Sequence, residues 1–546
     1  MDFPKPYLKI YEAGGVNWEI KIEAKSLPEA LDNSVKNYPN NVAIIFYGKK
    51  ITYAELGQRV KRVASALHDM GLRKGDRVSL MLPNSPDFVT SYYAILTLGG
   101  IVVNTNPMYV EREIEHQVND SGSKMIIALA DHYPKIRSII GDTCLEKVIL
   151  TSLGGKPDTV PKDTAWLPDL YAVERPEPPK VEIDPVEDVA LFQYTGGTTG
   201  APKAAMLTHY NLYANISQSD HFFSGGSWKE RIIGLLPFFH VAGMTSCMNI
   251  CIAAGTTMIP VAKFVPAEVV KIISEYEPTF FNAVPTMYTA LLNSPETKDF
   301  NEYGKVKLYK NGAAPIPDEI MAIMRSKLEG TGSIINDGYG LSEASPTVIS
   351  CPPFDLKYRK GSIGIPYPGT HAAVVDVETG TKVLPIGEVG ELIVKGPQVM
   401  KGYWNRPDDT ANALRNGWLY TGDMARMDED GYFYIVDRKK DVIIAGGYNI
   451  YPREVEEVLY QNQKILEVVV AGVPHEYRGE TVKAYIVLKD GQSATEEEII
   501  AFCKERLAPY KVPKLIEFRK ELPKSTVGKM LKRKLVEEEH QKLGKI

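Results

Sequence analysis

Over its first hundred residues the chain alternates short apolar runs with longer stretches in which apolar side chains recur every three or four positions. The run VAIIF, Val42 to Phe46, predicts a buried strand, and RVSLML, Arg77 to Leu82, predicts another. Between them Thr52-Tyr53-Ala54-Glu55 has the form of a capping box, in which the Thr oxygen and the Glu carboxylate satisfy open N–H groups at a helix start. Leu56, Val60, Val63 and Leu67 follow at helical spacing and give that helix one apolar face. The same alternation continues through IVVNTN, MIIALA and KVILTS, so helices packed on sheets are expected.

Two stretches break the pattern. Lys156 to Glu187 is rich in Pro, Asp and Lys and reads as a surface connection. VDRKKDVIIAGG, Val436 to Gly447, groups five charges ahead of two glycines. Beyond it the chain restarts with its own apolar pattern: helix YPREVEEVLYQ, strands LEVVVAGV and TVKAYIVL, helix ATEEEIIAFCKERL and strand LIEFRKEL. The expected fold is α/β, with a large multi-subdomain N-terminal α/β domain over residues 1–439. A small mobile C-terminal α+β domain is expected over 440–546, the boundary falling at Lys440. The closing KRKLVEEEHQKLGKI is mixed in sign and reads as a solvated helix.

Composition narrows the class. Of 546 residues 44% are hydrophobic and 24% charged, as in ordinary globular proteins. The net charge of -5 gives no electrostatic reason to expect a nucleic acid partner. Cys144, Cys247, Cys251, Cys351 and Cys503 are scattered, form no C-x-x-C pair and read as reduced thiols. MDFPKPYLKIYEAGG lacks the basic and apolar segments of a secretory signal. The most apolar window, Met244 to Ala262, is broken by Asn249, Gly255 and hydroxyl residues, and falls short of the roughly 20 apolar residues of a membrane span. A cytoplasmic protein is expected, with transient membrane-surface contact left open.

The candidate chemistry begins at LFQYTGGTTGAPKAAMLTH, Leu191 to His209. Gly196, Gly197 and Gly200 let backbone N–H groups approach phosphate oxygens. Thr195, Thr198 and Thr199 add hydroxyls, and Lys203 adds a positive charge. The Walker pattern fails, because Lys203 follows Pro202 and precedes Ala204. Taken alone, the stretch leaves a Gly/Thr-rich surface turn as the weaker alternative.

Tyr194 through Lys203, YTGGTTGAPK, resembles the signature of the adenylate-forming enzymes, which include acyl-CoA synthetases, firefly luciferase and peptide-synthetase adenylation domains. The family usually has Ser or Thr where Gly196 stands and often Gly where Ala204 stands. Further segments resemble its motifs in order: LPFFHVAGM, NGAAPIP, DGYGLSEASP, GELIVKGPQVMKGYWNRP, GWLYTGDMARMDEDGYFYIVDRKKD and LPKSTVGKMLKRKL. Several motifs in one order are far harder to obtain by chance than one glycine loop.

The resemblance implies ATP, Mg²⁺ and coenzyme A, and gives each motif residue a role. Glu343, with Thr195, would hold Mg²⁺ on the triphosphate, beside Ser342. Gly312, Ala313 and Ala314 would approach the adenine, and Tyr339, within Asp337-Gly338-Tyr339-Gly340, would stack on it. Asp423 would accept from the ribose hydroxyls, with Arg438 as a second contact. Lys529 would stabilise charge as a carboxylate oxygen attacks the α-phosphate. Lys440 would be the hinge, and Gly446 and Gly447 would leave room for the pantetheine arm. Out of that context, Glu343 is a solvated glutamate, Asp423 a turn residue and Lys529 one of many tail lysines.

Phe239, His240, Met244, Gly312 and Gly340 are the expected acid pocket. Amino-acid-activating relatives place an aspartate in this segment, whereas here His240 is followed by Val241, Ala242, Gly243 and Met244, which favours an apolar acid, although a structural histidine remains open. The leading reading is an AMP-forming fatty acid–CoA ligase for a medium- or long-chain acid, monomeric or homodimeric. The rivals are a ligase for an aryl or short or branched-chain acid, luciferase-type oxidation, a catalytically weak nucleotide- or acyl-CoA-binding sensor, and a P-loop kinase.

Overall fold

The structure is a computed structural model that describes residues 3–195, 202–223, 230–312, 314, 316–445, 448–475, 479–525 and 530–542. The expected strands form at Val42–Phe46, Arg77–Met81, Ile101–Asn104, Met125–Leu129 and Lys147–Thr151. Helix Tyr53–Asp69 begins at the capping box: Thr52 Oγ1 accepts from the Glu55 N–H at 3.2 Å, and Glu55 accepts from the Thr52 N–H at 2.7 Å. Leu56, Val60, Val63 and Leu67 are all buried on its inner face.

Two large sheets carry the N-terminal part. An eight-stranded sheet holds Arg77–Met81 and its neighbours, with parallel pairing through Thr164–Trp166 at one end. A nine-stranded sheet holds Phe280–Ala283, Leu308–Asn311 and Ile334–Gly340 side by side, parallel and in register. Helix Pro86–Thr97 is buried on every side from Phe88 to Leu96, the pattern of a helix inside a core. A third, antiparallel sheet of five strands includes Trp418–Met427 paired with Phe433–Arg438.

The C-terminal elements match expectation closely: helix Pro452–Tyr460, strands Ile465–His475 and Gly479–Leu488, helix Glu496–Lys504 and strand Leu515–Phe518. Their main apolar core, from Ile443 and Ile450 through Val470 and Ile486 to Ile516, draws only on this end of the chain. The stretch after Lys440 enters the same sheet as a short hairpin, Ile443–Ala445 with Tyr448–Ile450.

Two readings are corrected. The supposed surface connection contains strand Thr164–Trp166 and helix Leu167–Ala172, because Trp166, Leu167 and Leu170 bury apolar area against the sheet edge. The closing helix Lys532–Lys542 is not simply solvated. Leu535 is fully buried in a cluster with Val469 and Tyr485, and Lys532 pairs with Glu456 at 2.9 Å. No helix among the described residues is long and apolar enough to cross a membrane.

Candidate active site

The phosphate-side residues sit at the open end of a hairpin. Val189–Thr195 pairs antiparallel with Lys203–Thr208, so Thr195 and Lys203 face each other across its mouth. Thr195 Oγ1 points to the Lys203 carbonyl at 3.4 Å. The connecting residues Gly196, Gly197, Thr198, Thr199 and Gly200 lie outside the described residues. The Lys203 ammonium is paired with the Asp409 carboxylate and lies 5.6 Å from the Tyr403 ring centroid.

Tyr403 also reaches the other phosphate-side candidate. Its hydroxyl donates to Glu343 Oε1 at 2.8 Å, while the Met400 N–H holds the Glu343 carbonyl at 2.8 Å. Burial first, and then the Glu343 carboxylate, push the Tyr403 phenol well up, so it remains a donor. Glu343 lies in the turn Ser342–Ala344 that follows Ile334–Gly340. Thr195, Lys203, Tyr403 and Glu343 therefore form one cluster from three distant parts of the chain.

The second cluster lies at the carboxyl ends of the parallel strands, where ligands of open α/β sheets bind. Asn311 donates to Asp337 Oδ1 at 2.7 Å and to the Ala314 carbonyl at 3.0 Å. Burial pushes the Asp337 carboxyl up to about 6, with the Asn311 hydrogen bond opposing it. The Tyr339 hydroxyl donates to Asp423 Oδ2, and Arg438 Nε lies 3.6 Å from Asp423 Oδ1. Asp423 and Arg438 face each other directly across paired strands. Lys440 follows one turn later, its ammonium disfavoured by burial and by Arg438 and favoured by Asp441 and Asp423.

Glycines shape the floor between the clusters. A Cβ on Gly340 would fall 2.4 Å from the Pro346 carbonyl oxygen, whereas one on Gly312 would meet nothing within 4 Å. Gly340 is thus required by packing, and Gly312 borders open space. Phe239 and His240 precede a short helix, Val241–Gly243, that runs into a turn of π-helix, Met244–Asn249, a form frequent at functional sites. The Phe239 carbonyl is held by Gln193 at 3.4 Å, and Asn104 bridges Gln193 Oε1 at 3.0 Å and Met244 Sδ at 3.7 Å. Met244 is fully buried.

Family comparison decides what this arrangement belongs to. The model of the AMP-binding enzymes matches residues 31–404, and that of their C-terminal domain matches 454–529. This chain is an AMP-binding enzyme. It is 46% identical to a long-chain-fatty-acid–CoA ligase of Bacillus subtilis strain 168, over 99% of both chains. A long-chain-fatty-acid–CoA ligase of Escherichia coli O6:H1 is 40% identical over 94% of both chains. Among solved structures, the ATP-bound MatB of Rhodopseudomonas palustris superposes with a TM-score of 0.85 at 32% identity, covering 95% of this chain and 99% of that one.

In this AMP-binding enzyme the candidate segments are joined by residues that the sequence did not mark. Tyr403, Asp409, Asn311 and Gln193 make several of the candidate site's hydrogen bonds and the ion pair with Lys203, yet none was singled out. Tyr403 lay inside the quoted segment GYWNRP, where its residue type carried no visible role. Lys529, Ala313, Gly446 and Gly447 lie outside the described residues.

Proposed function

We propose that the enzyme joins a fatty acid to coenzyme A in two steps. A carboxylate oxygen of the acid attacks the α-phosphorus of ATP, and the bond to pyrophosphate breaks. The thiol of coenzyme A then attacks the acyl carbonyl and AMP leaves. The observation that carries this reading is the 46% identity to a long-chain-fatty-acid–CoA ligase over 99% of both chains. The two side-chain clusters support it, since each has the chemistry one half of ATP needs.

On the nucleoside side, Asp423 accepts from the ribose hydroxyls while Arg438 fixes its orientation. Tyr339 holds the same carboxylate and offers its ring to the base, beside Gly312, Ala313 and Ala314. On the phosphate side, Lys203 exchanges the Asp409 carboxylate for the more highly charged triphosphate, and the 196–200 backbone wraps the phosphates. Lys529 meets the charge that develops as the carboxylate attacks.

The oxygen donors fit magnesium. Glu343 Oε2 takes no hydrogen bond among the described residues, and Thr195 Oγ1, a donor to the Lys203 carbonyl, keeps its lone pairs available. Bound there, Mg²⁺ supplies charge neutralisation at the phosphate oxygens. Tyr403 orients Glu343 for that task. Lys440 is the hinge on which the small domain, residues 440–546, turns between the half-reactions. That turn withdraws Lys529 and brings Gly446 and Gly447 to the pantetheine arm.

Exchange of labelled pyrophosphate into ATP, without coenzyme A, tests the reading across acids from acetate to oleate, benzoate and several amino acids. Exchange supported by fatty acids is expected. Exchange only with an aryl or amino acid would replace the substrate class, and exchange with none would remove the ligase reading.

A further inference from the structure

Asp409 stands opposite Lys203 on a turn built to hold it there. Gly402–Tyr403 pairs antiparallel with Met206 and Ala205, in the strand that begins at Lys203. The Trp404 N–H continues that pairing to the Ala204 carbonyl at 2.9 Å. The chain then turns into helix Pro407–Ala413, which carries Asp409. Thr410 closes the turn: its Oγ1 accepts from the Tyr403 N–H at 2.9 Å and donates to the Arg406 carbonyl at 2.8 Å. A Cβ on Gly402 would lie 2.8 Å from Thr410 Cγ2, so glycine there lets the helix close on the strand.

A second anchor ties the turn to the other strand of the hairpin. The Asp120 carboxylate accepts from Arg406 Nη2 at 3.2 Å and from the Tyr194 hydroxyl at 2.7 Å. Its backbone carbonyl accepts from Trp404 Nε1 at 3.1 Å. Tyr194 directly precedes Thr195, so both sides of the phosphate mouth are fixed to the segment that presents Asp409. The paired side chains keep contact with water, Lys203 being 25% and Asp409 34% exposed.

The other acid of the mouth, Glu343, takes the Tyr403 hydroxyl. Lys203 is paired with Asp409 instead, and its one charge is what the carboxylate and a phosphate chain compete for. A lysine ammonium is a compact point charge on a flexible stem, so it passes between two anions without any change of fold.

We propose that Asp409 is a positioning residue that reclaims Lys203 as pyrophosphate leaves and thereby speeds its release. This rests on the reading of Lys203 as a phosphate contact given above. Breaking the bond to the α-phosphorus cuts pyrophosphate loose from the nucleoside cluster at Tyr339, Asp423 and Arg438. Lys203 is then a larger share of what retains it. A carboxylate fixed beside the lysine lowers the barrier to departure, because the ammonium goes directly from one anion to the other. The same competition weakens ATP, whose adenosine contacts offset it, and leaves AMP untouched.

The test measures calorimetric binding of pyrophosphate, ATP and AMP at saturating Mg²⁺, and the pyrophosphate off-rate by stopped-flow displacement. Wild type, Asp409→Asn, Asp409→Ser, Lys203→Ala and the double variant Lys203→Ala/Asp409→Asn are compared. Both Asp409 variants should bind pyrophosphate and ATP about threefold tighter or more, release pyrophosphate more slowly by the same factor, and bind AMP as wild type does. General damage to the site weakens binding, so a gain in affinity separates this role from a structural one. On the Lys203→Ala background the Asp409 change should do nothing to pyrophosphate. Wild-type pyrophosphate affinity or off-rate in both Asp409 variants overturns the proposal. So does equal tightening without Lys203, which would make Asp409 a general repulsive charge. If Lys203→Ala binds ATP and pyrophosphate as wild type does, the phosphate reading of Lys203 fails and the proposal with it. If no acid supports pyrophosphate exchange, the ligase reading fails while the pyrophosphate and AMP affinities still judge Asp409.

Discussion

Replacing Tyr403 by phenylalanine separates the two contacts this side chain makes. The ring remains beside the Lys203 ammonium, 5.6 Å from its centroid in the native protein, while the hydroxyl that donates to Glu343 Oε1 at 2.8 Å is lost. A hydrogen bond to a charged group contributes about 1.5–3 kcal/mol, so a Glu343 no longer held should lower adenylation roughly 10- to 150-fold. Because Glu343 is the proposed magnesium residue, the loss should appear as a raised Mg²⁺ requirement, partly recovered at high Mg²⁺. The assay is pyrophosphate exchange titrated with Mg²⁺, alongside a thermal melt and a cycle with Glu343→Gln. The double variant should be little worse than Glu343→Gln alone, since both changes act through one carboxylate. A Tyr403→Phe enzyme within twofold of wild type, or effects that simply add, would refute the reasoning.

Lys529→Ala should cripple adenylation yet leave thioester formation from supplied acyl-adenylate largely intact; equal loss of both half-reactions would end that division of labour. Lys203→Ala should weaken ATP binding more than AMP binding, because the lysine meets the phosphates lost as pyrophosphate; unchanged ATP affinity and turnover would count against it. Asp337 should make stability depend on pH. Its folded value of about 6 lies above the unfolded value near 3.9, so its contribution is full below about pH 4 and lost as pH rises through about 6. Asp337→Asn should remove a penalty of about 2–3 kcal/mol above pH 6, and melts of the two proteins from pH 4 to 7.5 should diverge with rising pH. Parallel curves would contradict this.

Local chemistry was legible in the chain itself. The Thr52–Glu55 capping box, the apolar face of Tyr53–Asp69 and the buried strand Val42–Phe46 depend on residues a few positions apart, and each stands where the pattern put it. So do the helices and strands of the C-terminal part. The order of the glycine-rich and acidic segments was enough to name the family. Hidden features were those created by long-range register. Tyr403 meets Glu343 across 60 positions and Lys203 meets Asp409 across 206, distances that no periodicity reports.

Lys310 is the sharpest case. In the string LYKN it reads as one more surface lysine, because alternation says that Tyr309 and Lys310 face opposite ways without saying what covers either face. Sheet order decides that. Placing Leu308–Asn311 between two parallel strands, under the π-helical turn and the rings of Phe223 and Tyr367, buries both faces and traps the charge. Trp166 and Leu535 were underestimated for the same reason, since their burial depends on distant strands at Lys147–Thr151 and Ile465–His475. Sequence determined most of the elements, the family and the residue types available for ATP chemistry. Tertiary structure alone decided which of those side chains touch, because strand order and register bring together residues that local spacing leaves unrelated.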